Sequence, residues 1–163
     1  MYTEEINDFD YDSMKKVGID DYDCFVFNKS NQNIYTIDVK TCIVMCVICD
    51  DKTYLIHLSN INELNRWKGI IRQEDINKIV VFYGTSPDLN LMNSVTNEFG
   101  IQIYSCFINK ISNSGTIGYN PLNNEFYGVR ESDMLCDNIK VYKYSFEKIC
   151  GIEWSEKKDE NKI

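Results

Sequence analysis

Histidine is almost absent from this chain: His57 stands alone among 163 residues. Basic charge is also short. Seventeen Lys and Arg against 25 Asp and Glu leave a formal net charge of −8. That balance repels phosphate backbones and anionic membranes, and no basic stripe offsets it, so neither nucleic acid nor membrane is an expected partner. The longest apolar run, Cys42 to Cys49, is far shorter than the roughly 20 residues that cross a bilayer as a helix. The opening MYTEEINDFDYDSMKK lacks the basic, then hydrophobic, then small-residue order of a secretory signal. No second Cys-x-x-Cys accompanies Cys46-x-x-Cys49, and a structural zinc site needs four ligands. A redox pair normally opens a helix, whereas this one sits in a β-like run. No cofactor motif is present, so neither a cofactor nor a metal is expected. Internal repeats are absent too.

The seven cysteines are an odd number scattered from Cys24 to Cys150. Most lie in apolar runs, where a free thiol packs as a small hydrophobe, and the pattern fits a reducing compartment. Apolar residues make up 44% and aromatics 13% of the chain, enough for a real core without staples. The reading is a single domain over residues 1–154 and a disordered charged tail over 155–163, SEKKDENKI. The acidic run from Glu4 to Asp12 reads as a solvated edge.

The periodicity is mostly β with a few helices. Tyr22 to Phe27 and Asn33 to Ile37 read as a hairpin around Lys29-Ser30-Asn31. Asn60 with Glu63 three residues on has the form of a helix start, running to about Ile71. Ile79 to Tyr83 is a β-branched run ending at Gly84. Ser86-Pro87 offers an N-cap and first-turn proline for a second helix, with Leu89, Met92, Val95 and Phe99 as its apolar stripe. Ile101 to Ile108 alternates as a strand. Thr116 to Tyr119 and Phe126 to Val129 form a further hairpin, and Ile139 to Phe146 a last strand. Trp67 and Trp154 read as packing or rim residues.

Chemistry concentrates in Thr36-x5-Cys42 followed by His57. If Cys42 to Cys49 and Lys52 to Ser59 form a hairpin around Asp50-Asp51, the two-residue connection pairs Val44 with His57 and Cys42 with Ser59. Cys42 and His57 then become diagonal neighbours on one face, with Cα atoms roughly 7–8 Å apart. A slip of one residue would throw them onto opposite faces. A thiol beside an imidazole is the minimum machinery for cysteine nucleophilic catalysis, and a third group that orients the imidazole completes it. Thr36, Asp38, Ser59 or a main-chain oxygen could be that third group. A lone histidine in an apolar strand is more often a packed residue than a catalyst, so a non-catalytic binding module remains the bland alternative.

Thr-x5-Cys, a hydrophobic strand and then His resembles the CheD-type glutamine deamidases. Their superfamily includes the catalytic domains of the cytotoxic necrotizing factors, other deamidating bacterial toxins, and a eukaryotic N-terminal asparagine amidase. The resemblance implies an α/β (α+β) fold with a β-sandwich or two-layer sheet core flanked by helices. It places Cys42 as nucleophile, His57 as base and Thr36 as orienter. Lys40-Thr41-Cys42 stands where the family has a small or glycine-containing turn. The implied function is protein-glutamine deamidation through a thioester, with a protein as substrate, in an effector or toxin. Its implied place is the cytoplasm, or a host cytosol reached by specialised secretion. The alternative within the same chemistry is an N-terminal amidase or another cysteine amide hydrolase.

Overall fold

The computed structural model describes residues 3–6, 14–26, 33–120, 123–131, 139–146 and 149. Two sheets form its centre. The first contains β1 (Thr3–Ile6), β2 (Lys15–Val17), β4 (Ile34–Thr36), β9 (Ile117–Asn120), β10 (Glu125–Glu131) and β11 (Ile139–Ser145), in the order β1-β11-β10-β9-β4-β2. The second contains β3 (Tyr22–Val26), β5 (Ile43–Cys49), β6 (Lys52–Leu58), β7 (Ile76–Tyr83) and β8 (Ile103–Phe107), in the order β3-β6-β5-β7-β8. With them stand the helices α1 (Ile61–Ile70) and α2 (Leu89–Glu98), in a mixed α/β architecture. The expected two-layer core is present at this level.

Strand parity explains the layering. In β5, Val44 and Cys46 face the first sheet, against Val17, Ile34, Ile117, Tyr119 and Phe126. Ile43, Met45, Val47 and Cys49 face the other way, against Leu64 and Trp67 of α1 and Leu91 and Val95 of α2. Both faces of β5 are therefore covered, and an unbroken apolar run is what such a strand requires. The same parity sends Cys46 and Cys49 to opposite faces, which rules the pair out as a dithiol. Cys24, Cys42, Cys46, Cys49 and Cys106 form no disulfide among the described residues; Cys136 and Cys150 lie outside them.

The hairpin that matters for the site forms with the expected register. Val44 pairs with His57 and Ile43 with Leu58, around Asp50-Asp51. The β9–β10 hairpin also forms. Asn60 caps α1 by accepting from the Glu63 N–H at 3.0 Å.

Two readings need correction. The proposed 22–27/33–37 hairpin does not exist: β3 pairs with β6 in the second sheet, and β4 joins the first. As a central strand β4 has partners on both sides, β2 and β9, so its backbone groups are met on two edges where a hairpin offers one. The cap of α2 is Asp88, whose carboxylate accepts from the Leu91 N–H at 3.1 Å; Ser86 and Pro87 precede the helix. That shift turns Leu91 and Val95 inward and leaves Leu89 69% exposed. Glu4 and Glu5 lie in edge strand β1, paired with β11. Residues 7–12, Trp154 and the 155–163 tail lie outside the described residues.

The loop that carries Cys42 is held on three sides. The Asp88 N–H donates to the Thr41 carbonyl at 3.2 Å, and the Val39 N–H to the Gly115 carbonyl at 3.1 Å. Gly84, just past β7, packs against the loop backbone: a Cβ there would lie 2.5 Å from the Lys40 oxygen and 2.6 Å from the Val39 oxygen. Both obstacles are backbone, so neither can rotate away. Gly84→Ala is expected to lower stability by about 1–3 kcal/mol through this overpacking, read as a lower urea midpoint at unchanged slope. An unchanged midpoint would mean that the 39–41 loop yields freely.

Candidate active site

His57 leaves β6 on the face that looks toward the first sheet, and β4 brings Thr36 to meet it. The Thr36 Oγ1 lies 2.6 Å from His57 Nδ1 and 2.7 Å from the Val17 carbonyl oxygen, all of it buried. A threonine hydroxyl has one proton. Two oxygens at 2.7 Å require a proton between them, and a carbonyl cannot supply one, so Thr36 donates to Val17. The contact with His57 also needs a proton, and it must then come from Nδ1–H. The neutral imidazole is thereby held as the Nδ1–H tautomer, with its basic lone pair on Nε2.

That Nε2 atom is buried and has no hydrogen-bond partner among the described residues. A buried polar atom left unpaired costs on the order of 1–3 kcal/mol, so a base held in this state needs a reason. Burial pushes the His57 imidazole below its ordinary pKa; the carboxylates of Asp20 and Asp38 oppose that shift without overcoming it. The ring is neutral at physiological pH.

Cys42 sits immediately before β5, partly exposed. Its position in the chain has the parity of Val44, which is directly opposite His57. Cys42 and His57 are not hydrogen-bonded, since Nε2 has no partner. Burial raises the thiol above its ordinary pKa, a hydrogen bond from Thr41 lowers it, and Asp20 raises it further. At rest the site therefore holds a neutral thiol and a neutral imidazole, which is the arrangement for general-base activation during attack and not for a standing thiolate–imidazolium pair.

Of the other possible orienters, Asp38 is exposed at φ +60° and lines a pocket, and the Ser59 hydroxyl donates to the Asp20 carboxylate. Neither holds Nδ1. The main-chain oxygen has a part, one step back, as the Val17 carbonyl that fixes Thr36.

Asp20 was not anticipated. Its N–H donates to the His57 carbonyl at 2.6 Å, and its carboxylate accepts from the Ser59 N–H at 2.8 Å. It adopts φ +60°, a left-handed conformation that aspartate tolerates better than most residues. The only hint in the sequence was the Gly18-Ile19-Asp20-Asp21 turn. Asp20 straps the end of β6 in place and is the charge felt by both Cys42 and His57.

A pocket of about 230 Å³ lies over this turn, lined by Lys16, Val17, Ile19, Asp38 and His57 among others. It is smaller than the roughly 300–1,000 Å³ of sites for drug-sized ligands and suits a single side chain. Among the described residues, no cluster of three His, Cys, Asp or Glu is placed to hold a metal ion, and no helix is long and apolar enough to cross a membrane. No protein-family model matches the chain, and no curated protein matches it.

Two outcomes follow. Thr36→Val keeps the shape but strands Nδ1–H and the Val17 carbonyl, so it should cost roughly 1–3 kcal/mol in denaturant unfolding, while Thr36→Ser should recover most of that. Equal stability of the two variants would remove the relay. The second outcome concerns pH. The folded imidazole resists protonation, whereas the unfolded one titrates near 6.5. Above that value the group has no effect; as pH falls through it, the unfolded state takes up a proton that the native state refuses, and stability drops. His57→Gln should flatten that fall between about pH 7.5 and 5.5 in a comparison of urea midpoints.

Proposed function

We propose that this protein is a cysteine-dependent amidohydrolase that converts an internal glutamine of a protein substrate to glutamate. The observation that carries the reading is the Val17–Thr36–His57 relay, which leaves His57 Nε2 without a partner among the described residues, at a strand position opposite Val44, two residues past Cys42. It matches the roles that the resemblance to CheD-type deamidases implies for Thr36, Cys42 and His57.

An amide is a poor electrophile, so the protein must supply a better nucleophile than water and hold the oxyanion. As Cys42 attacks the carboxamide carbon, its proton passes to His57 Nε2. Main-chain N–H groups at the start of β5 would face the developing oxyanion. The imidazolium returns the proton to the departing nitrogen, and the carbon–nitrogen bond breaks to release ammonia and leave a thioester. Water then loses a proton to Nε2 and attacks the thioester, and the thiol leaves with that proton. Glutamine and water become glutamate and ammonia, and the site is unchanged. Protonated His57 is stabilised at Nδ1 by Thr36 and through space by Asp20 and Asp38.

Nε2 is shut off from solvent at rest and is not bonded to Cys42, so the reaction requires substrate binding to bring thiol and ring together. Binding energy from remote parts of a protein substrate can drive such a change, and a free amino acid cannot supply it. A pocket sized for one side chain, on an exposed rim, favours an internal glutamine over a measured chain end.

Cys42→Ser and His57→Ala should each abolish ammonia release and the accompanying amide-to-acid mass gain on protein substrates, with the fold retained; free glutamine should be nearly inert. Turnover of free glutamine as fast as any protein would contradict the substrate class. Full biological activity in Cys42→Ala would make the protein a binding module with an inert, packed histidine.

A further inference from the structure

The loop from Ile37 to Cys42 has a cavity on each side. One is the pocket at His57. The other, about 190 Å³, is lined by Lys40, Thr85, Asn109, Asn113 and Ser114 over the backbone of Val39 and Gly115. Its side chains supply one ammonium, two carboxamides and two hydroxyls, and none of the lining residues is a carboxylate. In a chain of net charge −8 that local balance is unusual.

The second cavity lies where the chain leaves β7 and β8, beside the start of β5. Ile43 pairs with Leu58 on one side and Tyr83 on the other, and Tyr83 with Phe107. The chain thus leaves β6, β7 and β8 at the edge where it enters β5: Ser59, Cys42, Thr85 and Asn109 follow one another across the rim. Strands are about 4.8 Å apart, so the Thr85–Asn109 region lies roughly 7–10 Å from Cys42, which is the reach of two or three extended residues. The wall is stiff. Gly115 sits at φ +71° with its would-be Cβ only 3.0 Å from the Val39 nitrogen, and the Val39 N–H is bonded to the Gly115 carbonyl.

We propose that this second cavity is a substrate subsite that takes the side-chain carboxylate of an aspartate or glutamate lying two or three residues from the target glutamine. The inference rests on the deamidase reading, since it places the carboxylate relative to the attacked amide. Lys40 supplies the counter-charge, and Thr85 and Asn109 supply neutral donors for the remaining lone pairs. One ammonium matches one carboxylate; a phosphate dianion would be left with uncompensated charge. Because the surrounding chain is acidic, the selection acts at contact and not by long-range steering.

The test uses short acetylated peptides, each with one glutamine and with glutamate or lysine at successive flanking positions, against the full chain and Lys40→Glu. The expected result is a preference for glutamate of about two- to fivefold in kcat/KM at one position, the size of a solvent-accessible charge pair, which Lys40→Glu reverses in favour of lysine. Amide NMR shifts on peptide addition read the site without turnover, and glutamate peptides should move the signals of Lys40, Asn109 and Ser114. Deamidation without a charge preference, or with one that Lys40→Glu leaves unmoved, overturns the subsite and leaves the deamidase. Shifts at those residues without deamidation keep a carboxylate site and overturn its place beside an attacked glutamine. Neither shifts nor turnover overturns the subsite, while the deamidase reading is decided on protein substrates.

Discussion

One hydroxyl proton organises this site. Thr36 stands between the Val17 carbonyl and His57 Nδ1, and the two sheets meet at that point: Val17 and Thr36 belong to one, His57 to the other. Because threonine has a single proton and the carbonyl claims it, the ring has only one tautomer left to adopt. Sheet packing thereby decides where the basic lone pair sits. Val44, Leu55 and Ile117 belong to the apolar core packed beside it.

The same burial sets the protonation states. Desolvation lowers the imidazole and raises the thiol, and both shifts disfavour charge at rest. Asp20 and Asp38 act against the first shift, which matters once the ring becomes cationic. In the proposed reaction, charge separation would arise only as the thiol attacks. The alternative, a permanent ion pair, would leave a buried imidazolium and a thiolate to be compensated by a chain that offers them mainly carboxylates.

Much of this was legible in the sequence, for identifiable reasons. The β5–β6 register followed from a two-residue turn and the parity of a run covered on both faces, and it put Val44 opposite His57 as counted. Asn60 and Glu63 marked α1 because capping is local chemistry. The hairpin assigned to 22–37 failed because turn signals say nothing of which sheet a strand joins. The strand that carries Thr36 found two partners distant in sequence. The cap of α2 moved to Asp88 because proline at 87 fits just before a helix as well as inside its first turn. Asp20 escaped notice, since its role depends on a backbone hydrogen bond to His57 that no spacing announces. Cys42 was placed beside His57 by parity alone, and parity fixes a face without fixing a rotamer.

The single histidine makes the central claim directly measurable. Long-range nitrogen–proton correlation of the imidazole at neutral pH distinguishes which ring nitrogen carries the proton. The relay requires a protonated Nδ1 and a bare Nε2 in the wild-type protein, with the ratio shifting once Thr36→Val removes the acceptor. A wild-type ring protonated at Nε2, or a tautomer ratio indifferent to Thr36→Val, would contradict the account at its base.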